Sequence, residues 1–388
     1  MNVKIFTDNI DEVSLEQVNH LRMSKAFEGA TIRIMPDVHA GKGSVVGFTS
    51  RYTKHIIPNV IGVDIGCGVA VVELGKIDID YKKLDNFIRA NIPHGFSVRE
   101  YALRDFHIDE LRCYQEIVNP NRILRSLGTL GGGNHFIEID EDDEQNKYLI
   151  IHSGSRNLGK QVADYYQWKA VQYQKSLRVN IQDVIDKLKR EGRQQEIEEH
   201  IVSIKKEQEI DIDYNLAYLS EEDEKDYLHD MRIAQEFAVE NRKEIAKLVV
   251  RGMGWKKLSY FETVHNYYNF NDNIIRKGAI SAYKGEKVII PLNMRDGCII
   301  ALGKGNEDWN YSAPHGAGRI MSRNEAKKLI NLKDFQETME GIYSTSINES
   351  TLDEAPFAYK DSGEIIKNIT DTVKIIKLLK PVYNFKAQ

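Results

Sequence analysis

No proline interrupts this chain between Pro120 and Pro291, and between Lys160 and Arg251 there is a single glycine, Gly192. On either side the texture reverses. Six glycines fall between Gly41 and Gly68, and a second cluster runs from Gly128 to Gly133. Between these turns lie short β-type runs at Val3 to Phe6, Ile32 to Met35, Val45 to Thr49, Val69 to Glu73, Phe136 to Ile139 and Tyr148 to Ile151. Apolar runs punctuated by glycine predict buried strands joined by tight turns. The middle predicts helices instead. Ile181, Val184, Ile185 and Leu188 have helical spacing, as do Ile197, Ile201 and Ile204, which makes a charged hairpin turning at Gly192. A longer helix is expected from the capping pattern Ser220 to Asp223, with the stripe Leu228, Met231, Ala234, Phe237, Ile245 and Leu248. Asn241 lies on that stripe, where an amide needs an internal partner, and capping a neighbouring loop is the plain reading. Strands return at Lys287 to Leu292 and Cys298 to Leu302, and a helix is expected from Ser322. The pattern predicts one compact domain with a β-rich core, about 1–159 and 255–388, and a helical insertion at about 160–250.

Composition narrows the function classes. With 41% apolar and 29% charged residues, the chain is no disordered tail. Fifty-three basic against 58 acidic residues leave a net charge of −5, so nucleic acid would have to be held by a local basic cleft. Three cysteines, Cys67, Cys113 and Cys298, make no disulfide framework and fit a reducing compartment. The first thirty residues lack the apolar core of a signal peptide, and the apolar stretch Ile56 to Val72 is broken by Pro58 and Asp64. A cytoplasmic protein without a membrane span is the expectation.

Five of the eleven histidines sit in glycine-rich or strand-end settings: His39, His135, His152, His265 and His315. Beside them, Asp64 and Cys67 stand three apart in a turn flanked by Gly62, Gly66 and Gly68. A carboxylate, a thiolate and imidazoles together suit a first-row divalent ion, and one thiolate has lone pairs enough to bridge two. Taken alone, the plain alternative is the stronger: Cys67 a small buried hydrophobe, Asp64 a turn former. His152 ends an apolar strand and is followed by Ser153, Gly154, Ser155 and Arg156, which suit a phosphate. His315 is followed by Gly316, Ala317, Gly318 and Arg319, so an open imidazole has a cation four residues on, as attack on phosphorus requires.

Taken together, the strings MPDVHAGKG, IGVDIGCGV, LGTLGGGNHFIEI, HSGSRNLGK, YLHDMRIAQEFAVENR, VHNYY, RKGA and SAPHGAGRIMSR resemble the RtcB family of RNA ligases. They occur in the family's order over about residues 30 to 325. The resemblance implies an α+β fold with a deep cleft holding two Mn2+ ions. Cys67 would bridge them, with His135 and His152 completing one site and Asp64 and His265 the other. His315 would take GMP from GTP. Asn134, Glu138, Asn293, Met294, Tyr359 and Lys386 would contact the nucleotide, and Arg156, Asn241 and Arg319 phosphates or RNA. The implied activity joins RNA ends bearing a 2′,3′-cyclic phosphate or 3′-phosphate to 5′-hydroxyl ends, in tRNA splicing or RNA repair. It would proceed through a guanylylated histidine and an RNA 3′-guanylate. A monomer is expected, and an activating protein partner is left open.

The chain departs from the family where many members carry Pro-Gly-Ser-Met-Gly and this one reads Pro291-Leu-Asn293-Met294-Arg295-Asp296-Gly297. Two other readings differ in what they need. A member that only binds RNA ends would show gaps among Asp64, Cys67, His135, His152, His265 and His315, and all six are present. A two-metal phosphoesterase would have no use for His315 or the nucleotide contacts.

Overall fold

In the computed structural model of the chain, residues 2–51, 54–177, 181–208 and 213–387 are described, with the side chains of 204–208 excepted. Fourteen strands among these residues form three sheets. In chain order they are β1 (Asn2–Ile5), β2 (Thr31–His39), β3 (Val46–Arg51), β4 (Gly68–Gly75), β5 (Phe136–Glu141), β6 (Lys147–Ser153) and β7 (Ser259–Val264). Then come β8 (Asn266–Asn269), β9 (Ile274–Lys277), β10 (Ala279–Ser281), β11 (Lys287–Asn293), β12 (Gly297–Gly303), β13 (Ser312–Pro314) and β14 (Val373–Lys386).

The largest sheet has the order β11-β12-β14-β5-β6-β4-β7 and is antiparallel throughout. Its central strands read as unbroken apolar runs because both of their faces are covered. On β4, Ala70, Val72 and Leu74 face one core with Ile137, Ile139, Leu149 and Ile151, while Val69 and Val71 face another with Ile150, Ile289 and Ile300. The sheet curls over that second core far enough to bring Lys287 of edge strand β11 over the Phe261 ring of edge strand β7, at 4.6 Å. A five-stranded sheet, β1-β2-β3-β9-β8, is antiparallel except for the parallel β1–β2 pair, and β10 pairs with β13.

Four helices connect β6 to β7, the two neighbours of β4: Arg156–Ser176, Ile181–Arg190, Ile197–Gln208 and Glu221–Gly252. The middle two form the expected hairpin, with Gly192 at φ +73° in its turn. The side chain of Ile204 lies outside the described residues. The outer two belong to the core. Leu158, Val162, Tyr166 and Ala170 pack with Met231, Ala234 and Phe237, and Ile245 and Val249 cover the large sheet. Ser220 caps the long helix by accepting from Asp223 N (3.2 Å), and Ser322 starts Arg323–Leu329 with a reciprocal cap to Glu325. No helix among the described residues is long and apolar enough to cross a membrane.

Strand boundaries mostly extend the predicted runs by one or two residues. The main difference is β14, fourteen residues with lysines at 374, 377, 380 and 386 and a proline at 381. It nonetheless runs through the interior of the sheet, and Pro381 is accommodated where the pairing to β5 shifts register.

Candidate metal and nucleotide site

Register in the large sheet assembles one cluster of donors. Gly68 pairs with Ser153 and Val264, and His152 with Val69 and Phe136. Cys67, His135, His152 and His265 are therefore held at the same end of four adjacent strands, β5-β6-β4-β7. Backbone bonds fix the turn that adds Asp64: Cys67 N donates to Asp64 O (3.1 Å), Gly66 N to Asn266 O (2.7 Å) and His265 N to Cys67 O (2.9 Å). Gly154 makes room for it, since a Cβ there would stand 2.2 Å from Asp64 Oδ1.

Cys67 Sγ lies 3.5 Å from His135 Nε2 and 3.2 Å from His152 Nε2. His135 Nε2 is 3.1 Å from Asp64 Oδ2, and His152 Nε2 is 3.3 Å from His265 Nε2. Two three-donor groups result, Asp64–Cys67–His135 and Cys67–His152–His265, each with its ligand atoms within 4.8 Å of one another. Cys67 is common to both groups. His135 also contacts Asp64, and His152 also contacts His265, while Cys67 reaches both His135 and His152, the two histidines expected to share one site.

These groups fit a divalent cation. The Nδ1 atoms of His135 and His152 bond the backbone oxygens of Leu130 (2.9 Å) and Asn134 (3.2 Å), which leaves both Nε2 lone pairs aimed at the centre. Asp64 Oδ1 is buried without a hydrogen-bond partner. Burial, and then the His135 charge, hold His152 well below the ordinary imidazole range; burial with the charges of His315 and His152 does the same to His265. Both are neutral donors. Burial pushes Asp64 up, but the bond and charge of His135 and the charge of Arg156 outweigh it and leave the carboxyl below its usual value. Burial and the Asp64 charge drive the Cys67 thiol well up, a proton that an entering cation would displace.

His315 stands over this cluster, its ring centroid 4.7 Å from that of His265. Asp37, buried on β2, accepts from both His315 N (3.1 Å) and His315 Nδ1 (2.7 Å). That bond favours the tautomer with the proton on Nδ1 and leaves the Nε2 lone pair free. Gly318, at φ +77°, permits the approach of the two loops, because a Cβ there would meet Asp37 O at 2.2 Å. His39 Nδ1 bonds Asp37 O (2.9 Å), and burial lowers its pKa to about 4.

A cavity of about 750 Å³ opens from His315 and His152. Asn134, Glu138, Asn293, Met294, Arg319, Tyr359 and Lys386 all line it. Their bonds divide them. Glu138 is buried, accepts from Asn384 Nδ2, and has Cys298 Sγ 3.8 Å away. Burial raises its pKa above the usual carboxylate value. Lys386 Nζ (2.7 Å) and Tyr359 Oη (2.9 Å) both bond Glu354 Oε2. Burial would raise Glu354, yet the charges of Lys386, Arg323 and Arg319 bring it down to about 2. The Asn293 amide closes its own turn through Asp296 and Arg295 N, and Met294 packs with Phe335 and Met339. Arg319 donates to Asp353 O (2.6 Å) and lies over the Tyr359 ring (5.1 Å).

Two of the expected phosphate contacts are engaged by the protein. Asn241 is fully buried and its amide is saturated: Oδ1 accepts from Gly128 N and Thr129 N, and Nδ2 faces Thr129 O, Ser153 Oγ and Gly154 O. The geometry is that of a loop cap, with no atom left for RNA. Arg156, itself at φ +60°, bonds Thr129 Oγ1 (3.2 Å) and Gly95 O (3.3 Å). Asp37, Arg323, Glu354 and Asn384 belong to the site and were not singled out by sequence. Asp37 had a visible signal, standing two residues before His39 on one face of a strand.

A family model described as "tRNA-splicing ligase RtcB" matches residues 17–118 and 112–387. The chain is 31% identical to the RNA-splicing ligase RtcB of Escherichia coli K12, over 99% of this chain and 97% of that protein. It is 27% identical to the tRNA-splicing ligase RtcB of Methanococcus maripaludis (95% and 89% covered), and 26% to that of Nanoarchaeum equitans (91% and 87%).

Proposed function

The chain belongs to the RtcB family of tRNA-splicing ligases, and from that premise we propose that it joins RNA 2′,3′-cyclic phosphate or 3′-phosphate ends to 5′-hydroxyl ends at the expense of GTP. The observation that carries this is the Asp37–His315 pair, set over the five-donor cluster on the wall of the cavity. Asp64, Cys67, His135, His152 and His265 would hold two Mn2+ ions between them, with Cys67 shared. When bound, the ions supply Lewis-acid stabilisation of charge on phosphoryl oxygens and activation of water.

Asp37 holds the Nδ1 proton while His315 Nε2 attacks the α-phosphorus of GTP, forming an N–P bond as pyrophosphate leaves. Glu138 and Asn134 are the polar groups of the cavity wall nearest the donor cluster in sequence, and the guanylate is assigned to them. Lys386 and Arg319, balanced by Glu354, offer positive charge to its phosphate. A cyclic phosphate is first opened by water to a 3′-phosphate. That phosphate takes GMP from His315, and the 5′-hydroxyl then attacks the activated phosphorus, seals the strand and releases GMP. The nucleotide is needed because a bare phosphate monoester has no good leaving group. The same reading makes the chain one domain, with the cavity as its substrate cleft, and a cytoplasmic monomer.

The test is covalent labelling. Incubated with Mn2+ and GTP labelled at the α-phosphate, the protein should acquire acid-labile, base-stable label, and His315→Ala should acquire none. A protein that binds Mn2+ yet takes no label would favour a cyclic phosphoesterase that does not ligate.

A further inference from the structure

The loop from Pro93 to His107 carries the most exposed aromatic side chain among the described residues, Phe96 at 96% exposure, with Tyr101 at 76%. Phe96 touches no core, so its size and aromaticity do nothing for the fold. Its backbone, by contrast, is fastened on both sides. Gly95 N donates to Gly131 O (2.7 Å), Ser97 N to His94 O (3.1 Å), and the Arg122 guanidinium to Phe96 O itself. Arg99 clamps the loop further through Leu127 O (3.2 Å) and Gly128 O (2.6 Å). With the backbone fixed, only the ring's own two side-chain torsions remain to be ordered when a ligand binds.

The platform is tied directly to the donor cluster. Pro93 O accepts from Leu130 N (2.9 Å), and Leu130 O accepts from His135 Nδ1 (2.9 Å). Arg156 bonds Gly95 O on one side and lends its charge to Asp64 on the other. Acidic groups stand nearby, Glu100 and Asp105 in the same loop and Asp64 beside Arg156. Arg99 and Arg122, however, spend their hydrogen bonds on backbone carbonyls, and neither has a carboxylate within ion-pair distance among the described residues. Guanidinium charges bonded to neutral groups remain available to a phosphate chain. An aromatic face beside such arginines suits single-stranded nucleic acid, whose bases stack without regard to sequence. A strand end reaching the donor cluster must leave its helix and lose its stacking partner, which an exposed ring restores.

We propose that Phe96 is a stacking platform for an unpaired base of the RNA end that enters the donor cluster, with Arg99 and Arg122 attracting its phosphates. This rests on the RNA-ligase reading and adds a substrate subsite to it.

Binding without turnover tests it. A fluorescein-labelled single-stranded RNA dodecamer with a 5′-hydroxyl is titrated with protein in the absence of GTP, and Kd is read by anisotropy. Phe96→Ala should weaken binding about ten-fold, while Phe96→Trp and Phe96→Tyr bind as wild type does. Met23→Ala, a comparably exposed apolar truncation at the end of the helix Glu12–Met23, should change nothing. If Phe96→Ala binds within two-fold of wild type, or if Phe96→Trp is as weak as Phe96→Ala, the platform is refuted while the ligase reading stands. A wild type that binds no single-stranded RNA overturns both.

Discussion

In the proposed reaction, Asp37 is the residue on which the reactivity of His315 turns. Its carboxylate accepts from the backbone and the ring of His315 at once, so it holds the loop and selects the tautomer in one contact. An amide in its place would keep the shape but lose the charge that stabilises a ring becoming cationic as it bonds phosphorus. Asp37→Asn should therefore slow guanylylation of His315 by roughly 10²-fold or more, with little change in thermal stability. The rate of label transfer from α-labelled GTP checks this, and a rate within three-fold of wild type would reduce Asp37 to a structural contact. The histidines and Cys67 were legible as strings because each sits among glycines or at a strand end. Asp37 lay in one of those strings, but its partner could not be read, because it lies 278 residues away. For the same reason the convergence of the donors could not be read from spacing: it depends on which strand ends are neighbours in the sheet.

At the scale of elements, the helix Glu221–Gly252 is the support on which the site is built. Asn241 ties together the Gly128–Thr129 turn and the Ser153–Gly154 turn, and Arg242 next to it donates to Gly66 O (2.7 Å) and Ser153 O (2.9 Å) while pairing with Glu262. Two adjacent side chains thus hold three loops that carry Cys67, His135 and His152. Asn241→Ala would leave two backbone N–H groups buried and unpaired, at a cost of about 3 kcal/mol to folding. It should also lower retention of a divalent metal on dialysis, since the loop leading to His135 loses its anchor. Urea unfolding and metal analysis of the variant measure the two effects; full metal retention would show that the strands alone position the donors. The apolar stripe of this helix and the oddity of an amide on it were visible in sequence. β14 was not, because its lysines interrupt the apolar pattern and Pro381 argues against a central strand, and only the register shift opposite β5 resolves that conflict.

At the scale of the whole molecule, a net charge of −5 would repel a polyanion, so any affinity for RNA must come from where the charges stand. Many basic side chains here are spent in surface pairs, such as Lys4 with Asp308 and Arg104 with Glu240. Among the described residues Arg99 and Arg122, near the Gly95–Gly131 contact, are in no such pair. Counterion release then fixes what salt should do. Each phosphate neutralised on a single strand contributes about 0.7 to the slope of log affinity against log salt. With two such contacts, the slope is about −1.4, and affinity for a single-stranded dodecamer should fall about 7-fold between 50 and 200 mM salt. Arg122→Gln should make the slope shallower by about 0.7 while leaving guanylylation of His315 intact. Anisotropy titrations across that salt range read both values. A slope near zero would mean that the acidic surface governs and that the RNA is held by stacking and metal contacts alone; a slope near −6 would mean a footprint far wider than the loops beside the donor cluster.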